Sequence, residues 1–432
     1  MDYILNTPYI IKIITALFLI LIVNRKSGNL IAAIISGTLL LALWCGHGLA
    51  SMLSISWVRI SSWGNIFLVI AIFQVIWLSS MMDKSGVMKD LVAIVKKSIS
   101  RRAGLAVLPA LIGWLPMPGG ALFSAPMVEE MDDGKELNPL LKTKINYWFR
   151  HIWEYWWPLY PGVLLAIDMT KLPVWQFISL QLPLSLFAIA GGIFFLLRKV
   201  PVDLKISGKK DNYQNIKVFI ELIMPILMVI IVYIFVSIVF PGLSKKSQYI
   251  PVILGLCFSL GTLQIQRPLS AGVLKDIILS KNTLKLVVIV IFIRIYGAFI
   301  ESPLPDGTFL MSAVRDELAM WHIPVLVIIM LIPFISGLST GLAVGFVGAS
   351  FPIVINLLGP NPPLADLLSY TVLAYGFGFT GMMLSPVHVC HLVTIEYFKT
   401  NLNESMLRII KPSLFVIGGS IFMSIAAHII AS

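Results

Sequence analysis

Charge is what this chain is short of. Asp, Glu, Lys and Arg make up 12% of its 432 residues and hydrophobic residues 58%, against about a quarter charged and roughly half apolar in soluble domains. The shortage excludes an ordinary soluble enzyme, whose core at this length would need more polar surface to cover it. It excludes disorder and collagen-type or coiled-coil fibres as well. Cysteine is also scarce: Cys45, Cys257 and Cys390 each lie inside an apolar run, so they build no disulfide framework. There is no phosphate-binding loop of the Gly-x4-Gly-Lys type, which argues against direct use of ATP. The first apolar run begins after Asp2, is followed by Arg25 and Lys26 and lacks a small-residue cleavage site. It reads as a retained span, not a leader.

What the chain has instead is apolar runs of membrane length. A helix rising about 1.5 Å per residue needs roughly 20 residues to cross about 30 Å of hydrocarbon. Ten full spans are predicted, near 7–23, 29–45, 63–82, 144–168, 175–197, 218–240, 249–266, 285–300, 366–395 and 410–430. Two further stretches, 104–131 and 322–358, are interrupted by WLPMPGGA (Trp114 to Ala121) and SGLSTGLA (Ser336 to Ala343). Proline removes a backbone donor and glycine loosens a helix, so each stretch is predicted to be a re-entrant hairpin of two half-helices. The fold class expected is an all-α polytopic membrane protein.

Lys and Arg collect in cytoplasmic loops. With both termini outside, the inside segments hold 24 of these residues and the outside segments 5, while Lys12, Arg150 and Arg294 fall within spans. The net charge of +11 is thus an orientation signal, helped by anionic lipid, and calls for no nucleic acid. A cysteine placed at Ser207, in the basic linker 201–217, is expected to label only from the cytoplasmic side, against a C-terminal reporter on the other face. The pattern also repeats: residues 1–200 and 218–432 each run three spans, a hairpin, an interrupted span and a plain span. Five crossings per half invert the second half, and inverted repeats with broken helices point to secondary transporters.

Half-helices that begin at the tips aim unpaired N–H groups and a positive dipole end at the midplane, which suits a carboxylate. Pro118, Gly119 and Gly120 form the first tip, and Ser336, Ser339, Thr340 and Gly341 the second. The plainer alternative is that Gly and Pro mark kinks and the hydroxyls serve freed carbonyls. The first interrupted span carries Arg150, His151 and Glu154, candidates for proton or cation coupling or for a charge relay; an Arg150–Glu154 pair that merely locks the helix is the alternative. The second carries His388 and His391 with Cys390 between them. Cys390 is expected to point away from the histidine face, so no metal site is assigned, and a histidine lining a polar cavity is preferred. Trp148, Trp153, Trp156 and Trp157 are expected to be lipid-facing or interfacial.

The runs FRHIWEYWWPLYPG and GMMLSPVHVCHLVTIEYF, with the tip PMPGGALFSAPM, resemble an uncharacterised permease family of the ion transporter superfamily, which also holds gluconate, citrate and C4-dicarboxylate carriers. The resemblance implies an elevator-type carrier, often a homodimer, in a bacterial or archaeal cytoplasmic membrane. It implies a site lined by Pro118 to Gly120, Pro158, Tyr160, Pro161, Ser339 to Gly341, Thr380, Ser385 and Pro386. The second tip reads Ser339-Thr340-Gly341 where sodium-coupled dicarboxylate carriers have Ser-Asn-Thr, so neither sodium coupling nor dicarboxylate specificity follows. The expected function is secondary transport of a small organic anion driven by a proton or sodium gradient, with that ion the only cofactor. An intramembrane enzyme using Glu154, His388 and His391, or a channel, are the alternatives.

Overall fold

The computed structural model describes residues 7–116, 120–132, 136–200 and 212–432. Among these residues the chain is predominantly helical, and an isolated bridge pairs Pro303 with Phe309. Six helices are long and apolar enough to cross a membrane: Trp63–Lys84, Val174–Phe195, Ile216–Val239, Tyr249–Gln266, Ala271–Glu301 and Leu402–Ala431. The protein is an all-helical integral membrane protein. These six coincide with six of the ten expected spans. Of the other four, the first is the 19-residue helix Tyr9–Ser27 and the second the 15-residue Leu30–Trp44. The remaining two are divided into Pro139–Arg150 with Pro161–Thr170 and Leu364–Met383 with Val389–Phe398.

Proline by itself does not break these helices. Pro183 and Pro225 lie inside Val174–Phe195 and Asn212–Val239 without interrupting them, since a membrane helix can tolerate one lost hydrogen bond. The chain breaks where proline and glycine cluster or where side chains take over the carbonyls. Five helices occupy segments the apolar runs did not announce: Leu49–Ser61, Val87–Ser98, Pro241–Lys246, Ala271–Ile278 and Leu310–Met320. The last meets Val325–Thr340 at a bend of 117°.

Both hairpins form. The first pairs Arg101–Ile112 with Ala121–Glu130 and the second Val325–Thr340 with Ala343–Leu357. The open end of the first is tied by Asp132, whose carboxylate is wholly buried. It accepts from Arg101 at 2.5 Å and from the Glu136 and Leu137 amides at 3.2 and 3.1 Å, with Lys142 at 3.3 Å. Lys142 belongs to Pro139–Arg150, so the same carboxylate joins the hairpin to the broken span behind it. At the other end of the bundle, Pro161–Thr170 packs along Ala343–Leu357, and Val325–Thr340 packs along Leu364–Met383. Hairpins and broken spans therefore interlock. The long helices Trp63–Lys84 and Lys281–Glu301 lie against this group.

Candidate functional site

The first broken span opens at its aromatic run. Helix Pro139–Arg150 ends, residues 151–156 form turns, and Pro161 starts the next helix. The break leaves carbonyls without intrahelical donors, as does the C-terminal end of Arg101–Ile112. Aromatic donors supply them: the indoles of Trp153 and Trp157 bond the Ala110 and Trp114 carbonyls at 2.8 and 3.0 Å, and the Tyr160 hydroxyl bonds the Gly113 carbonyl. Tyr375 donates to the Glu154 carbonyl at 2.7 Å and Ser185 to that of Ile152. The expectation for the tryptophans is thereby corrected, because Trp148, Trp153 and Trp157 are internal and spend their N–H groups on backbone. Trp148 reaches the Ala188 carbonyl at 2.8 Å. The break is consequently longer than Pro158 and Pro161 alone suggested.

At the second tip, Gly341 takes a left-handed φ of 60°, which an ordinary residue adopts at a cost. A Cβ there would stand 2.9 Å from the His388 amide nitrogen and 3.0 Å from Ser385 Oγ. The tip thus rests on the second break. On the first break, a Cβ on Gly162 would lie 2.8 Å from that of Ala343, so the helices starting at Pro161 and Ala343 touch at their first turns as they pack along one another. Gly120 is bare because Arg150 covers it, with a guanidinium nitrogen 2.5 Å from where its Cβ would be.

Between these elements lies a cavity of about 160 Å³ lined by Arg150, His151, Glu154, Tyr160, Pro161, Gly341 and His388 from the expected residues. It is also lined by Gly162, Ala343, Val344, Val389 and Cys390. The first two residues of three half-helices, Pro161–Thr170, Ala343–Leu357 and Val389–Phe398, therefore face it. The dipoles of these half-helices turn their positive ends to it, while Arg150 and Glu154 contribute charges of opposite sign to the same wall. A second cavity, of about 520 Å³ and lined by Ser79, Asp83, Lys84, Asp276 and Asn282 among others, shares Ile76, Pro116 and Leu286 with the first. The two cavities therefore adjoin.

Other expected site residues stand back. Thr340 donates to the Ser336 carbonyl at 2.7 Å, which is the carbonyl-serving role of the plainer reading. Ser336 and Thr380 are buried and Ser339 and Pro158 half-buried outside the lining; Ser385 contacts the tip from behind, and Pro386 is exposed. Pro118 and Gly119 lie outside the described residues.

The charged and imidazole groups converge more closely than their spacing announced. Arg150 Nη1 is 3.3 Å from His151 Nε2 and 3.1 Å from Cys390 Sγ. His151 Nε2 stands 3.1 Å from His388 Nε2 and 3.8 Å from a Glu154 oxygen. Cys390 does not point away as expected. His388 precedes the helix as its cap residue, so helical spacing does not apply between them, and both turn to His151. His391 is the one that diverges, stacking on Tyr147 at 4.2 Å and meeting Ser405 at 2.8 Å. The ligand atoms of His151, His388 and Cys390 lie within 4.8 Å of one another, but this is not metal geometry. Tetrahedral zinc draws such atoms to about 3.3–3.7 Å around a point free of cations, and here the Arg150 guanidinium touches two of the three.

A family model described as "Protein of unknown function (DUF401)" matches residues 10–426. The chain belongs to the DUF401 family. No curated protein matches it. Among solved structures it is similar to the Alcanivorax borkumensis YdaH transporter, whose crystal structure is described as having an unusual topology, at 12% identity, a TM-score of 0.50 and 88% coverage of each chain. That likeness is one of fold.

One constellation of the DUF401 chain escaped the sequence reading. Asp168, near the end of Pro161–Thr170, pairs with Arg294 of Lys281–Glu301 at 2.5 Å, and both side chains are buried. Lys171, which is exposed, approaches the other carboxylate oxygen at 3.4 Å. Arg294 stood out as a base within a span, but its partner lies 126 positions earlier, at the end of the span read as interrupted. The pair joins a cavity-lining half-helix to a long membrane-crossing helix.

Proposed function

We propose that this protein is a secondary transporter of a small organic anion, a carboxylate, driven by a proton or sodium gradient. The carrying observation is the convergence of three half-helix N-termini and the Arg150 guanidinium on one buried cavity. Such a wall attracts an anion whose charge matches it, and the small volume suits a compact solute. The charge asymmetry of the loops puts Lys84, Asp276 and Asn282 on the cytoplasmic side, so the outer cavity is a cytoplasmic vestibule and both termini face outside. The corresponding order of helices, hairpins and breaks in 1–200 and 218–432 supports an inverted repeat of ten spans and two hairpins. Hairpins and broken spans would move together against the long helices, as in an elevator, and the carrier would work as a homodimer in a cytoplasmic membrane. Placement in the ion transporter superfamily rests on this architecture and on the sequence resemblance. The enzyme alternative loses ground because His391 faces Ser405, outside the cavity that holds Glu154 and His388. A channel is disfavoured by the closed tip at Gly341.

Transport tests the reading. Gly341→Trp is expected to abolish uptake of labelled carboxylates into proteoliposomes, because the side chain would fill the site; the αL position adds about 1–2 kcal/mol of strain and the Cβ would press on the His388 backbone, so insertion is measured beside uptake. Gly242, around which a Cβ would meet nothing within 4 Å, should accept tryptophan with uptake retained. Equal loss at both positions would identify helix packing where we place a site.

A further inference from the structure

Two imidazoles oppose their lone pairs across the cavity. His151 Nδ1 lies 2.6 Å from the Tyr147 carbonyl oxygen, and His388 Nδ1 lies 3.3 Å from that of Met382. A carbonyl oxygen only accepts, so both Nδ1 atoms carry hydrogen. In a neutral ring the other nitrogen then carries only a lone pair, that of His151 already accepting from Arg150 Nη1 at 3.3 Å, and these two Nε2 atoms stand 3.1 Å apart. That is a hydrogen-bond length, yet two neutral rings in these tautomers have no hydrogen to place between them. One added proton supplies it: an N–H bond forms on one Nε2 and the lone pair of the other accepts. We infer that His151 and His388 share a single proton and that this proton is the coupling ion. The inference rests on the carrier reading above.

The surrounding groups explain how such a proton couples to an anion. Arg150 and Glu154 are the charges facing the pair, at 3.3 and 3.8 Å from His151 Nε2. Tyr147 and Tyr160 direct their hydroxyl hydrogens to the Met383 and Gly113 carbonyls. His391 is engaged with Ser405, and the Cys390 thiol sits on the Arg150 guanidinium. With the pair neutral, an ionised Arg150 and an ionised Glu154 cancel. With one proton shared, the cavity carries one net positive charge beside three helix N-termini, an arrangement that is costly alone and neutralised by a monoanion. Each ligand thus lowers the cost of burying the other, and by linkage the coupling is reciprocal. One proton accompanies one monoanion in electroneutral symport.

The test is nitrogen NMR of the full chain, histidine-labelled with ¹⁵N, in lipid nanodiscs without substrate. Signals are assigned through His151→Gln and His388→Gln. At alkaline pH both rings should appear as Nδ1–H tautomers, and on acidification both Nε2 signals should move together as the pair gains one proton. Two independent transitions, an Nε2–H tautomer on either ring at alkaline pH, or capture of both rings by one equivalent of zinc ion would each overturn the shared proton. Proteoliposomes separate this from the carrier reading. Carboxylate uptake that follows a sodium gradient and ignores a pH gradient would leave the carrier standing and remove the proton as its coupling ion. A shared proton in a chain that passes none of acetate, lactate or succinate would remove the coupling role together with the carrier.

Discussion

Arg294→Met should lower stability by about 3–5 kcal/mol, the usual result of stranding one member of a buried ion pair. Asp168 would keep its charge 3% exposed, and its remaining neighbours are ill suited to compensate, since the buried Tyr249 hydroxyl beside it carries no charge. Lys171 approaches at 3.4 Å from a side chain that is 69% exposed, so its attraction is screened and worth no more than about 1 kcal/mol. Lys171→Met should therefore be nearly silent. The double change Arg294→Met with Asp168→Leu removes both charges, and replacing a whole buried pair by apolar side chains is often neutral. It should recover most of the loss. Thermal unfolding of the purified protein in one detergent, compared across the four chains, checks the set. A single Arg294→Met protein that melts with the parent would show that water or lipid headgroups reach Asp168 and that the pair holds nothing together.

The contrast between Asp168 and Arg150 marks how far the sequence reads. Apolar length, interruption by WLPMPGGA and SGLSTGLA, and charges within a span are local signals, and they located the hairpins, the broken spans and the Arg150–His151–Glu154 group. Six of the ten expected spans recur as long apolar helices. Pairing between distant elements has no local signal, so the Asp168–Arg294 bridge was invisible. Helical spacing also misleads wherever the helix stops. Cys390 was placed on the wrong side because His388 was counted as helical, whereas it has φ −68° and ψ 113° as a cap. Tryptophans were read by composition as lipid-facing, although the break beside them had to find donors for stranded carbonyls. The hydroxyl of Thr340 is claimed by a backbone acceptor one turn away, which composition does not reveal.

Loss of the guanidinium should be the most damaging single change for binding. Arg150 lies between the first tip and the second break, with one nitrogen 3.1 Å from Cys390 Sγ and another 2.5 Å from the Cβ position of Gly120. Arg150→Met keeps much of the volume and removes the charge. Truncating a desolvated charged partner of a ligand costs about 2–5 kcal/mol, which at about 1.4 kcal/mol per decade is a loss on the order of 30-fold to several thousand-fold in affinity. Glu154 would then stand uncompensated in the same cavity and repel a carboxylate, pushing the result toward the upper end. Arg150→Lys should fall between, since an ammonium supplies the charge without the planar guanidinium that meets Cys390 and His151 through Nη1 while Nη2 covers Gly120. Adding Glu154→Gln to Arg150→Met removes the repulsion and should return part of the lost binding, though not the orientation the guanidinium provides. Carboxylate exchange measured in proteoliposomes at fixed pH, normalised to inserted protein, orders the four chains. An Arg150→Met protein that exchanges like the parent would mean that the half-helix N-termini hold the anion by themselves.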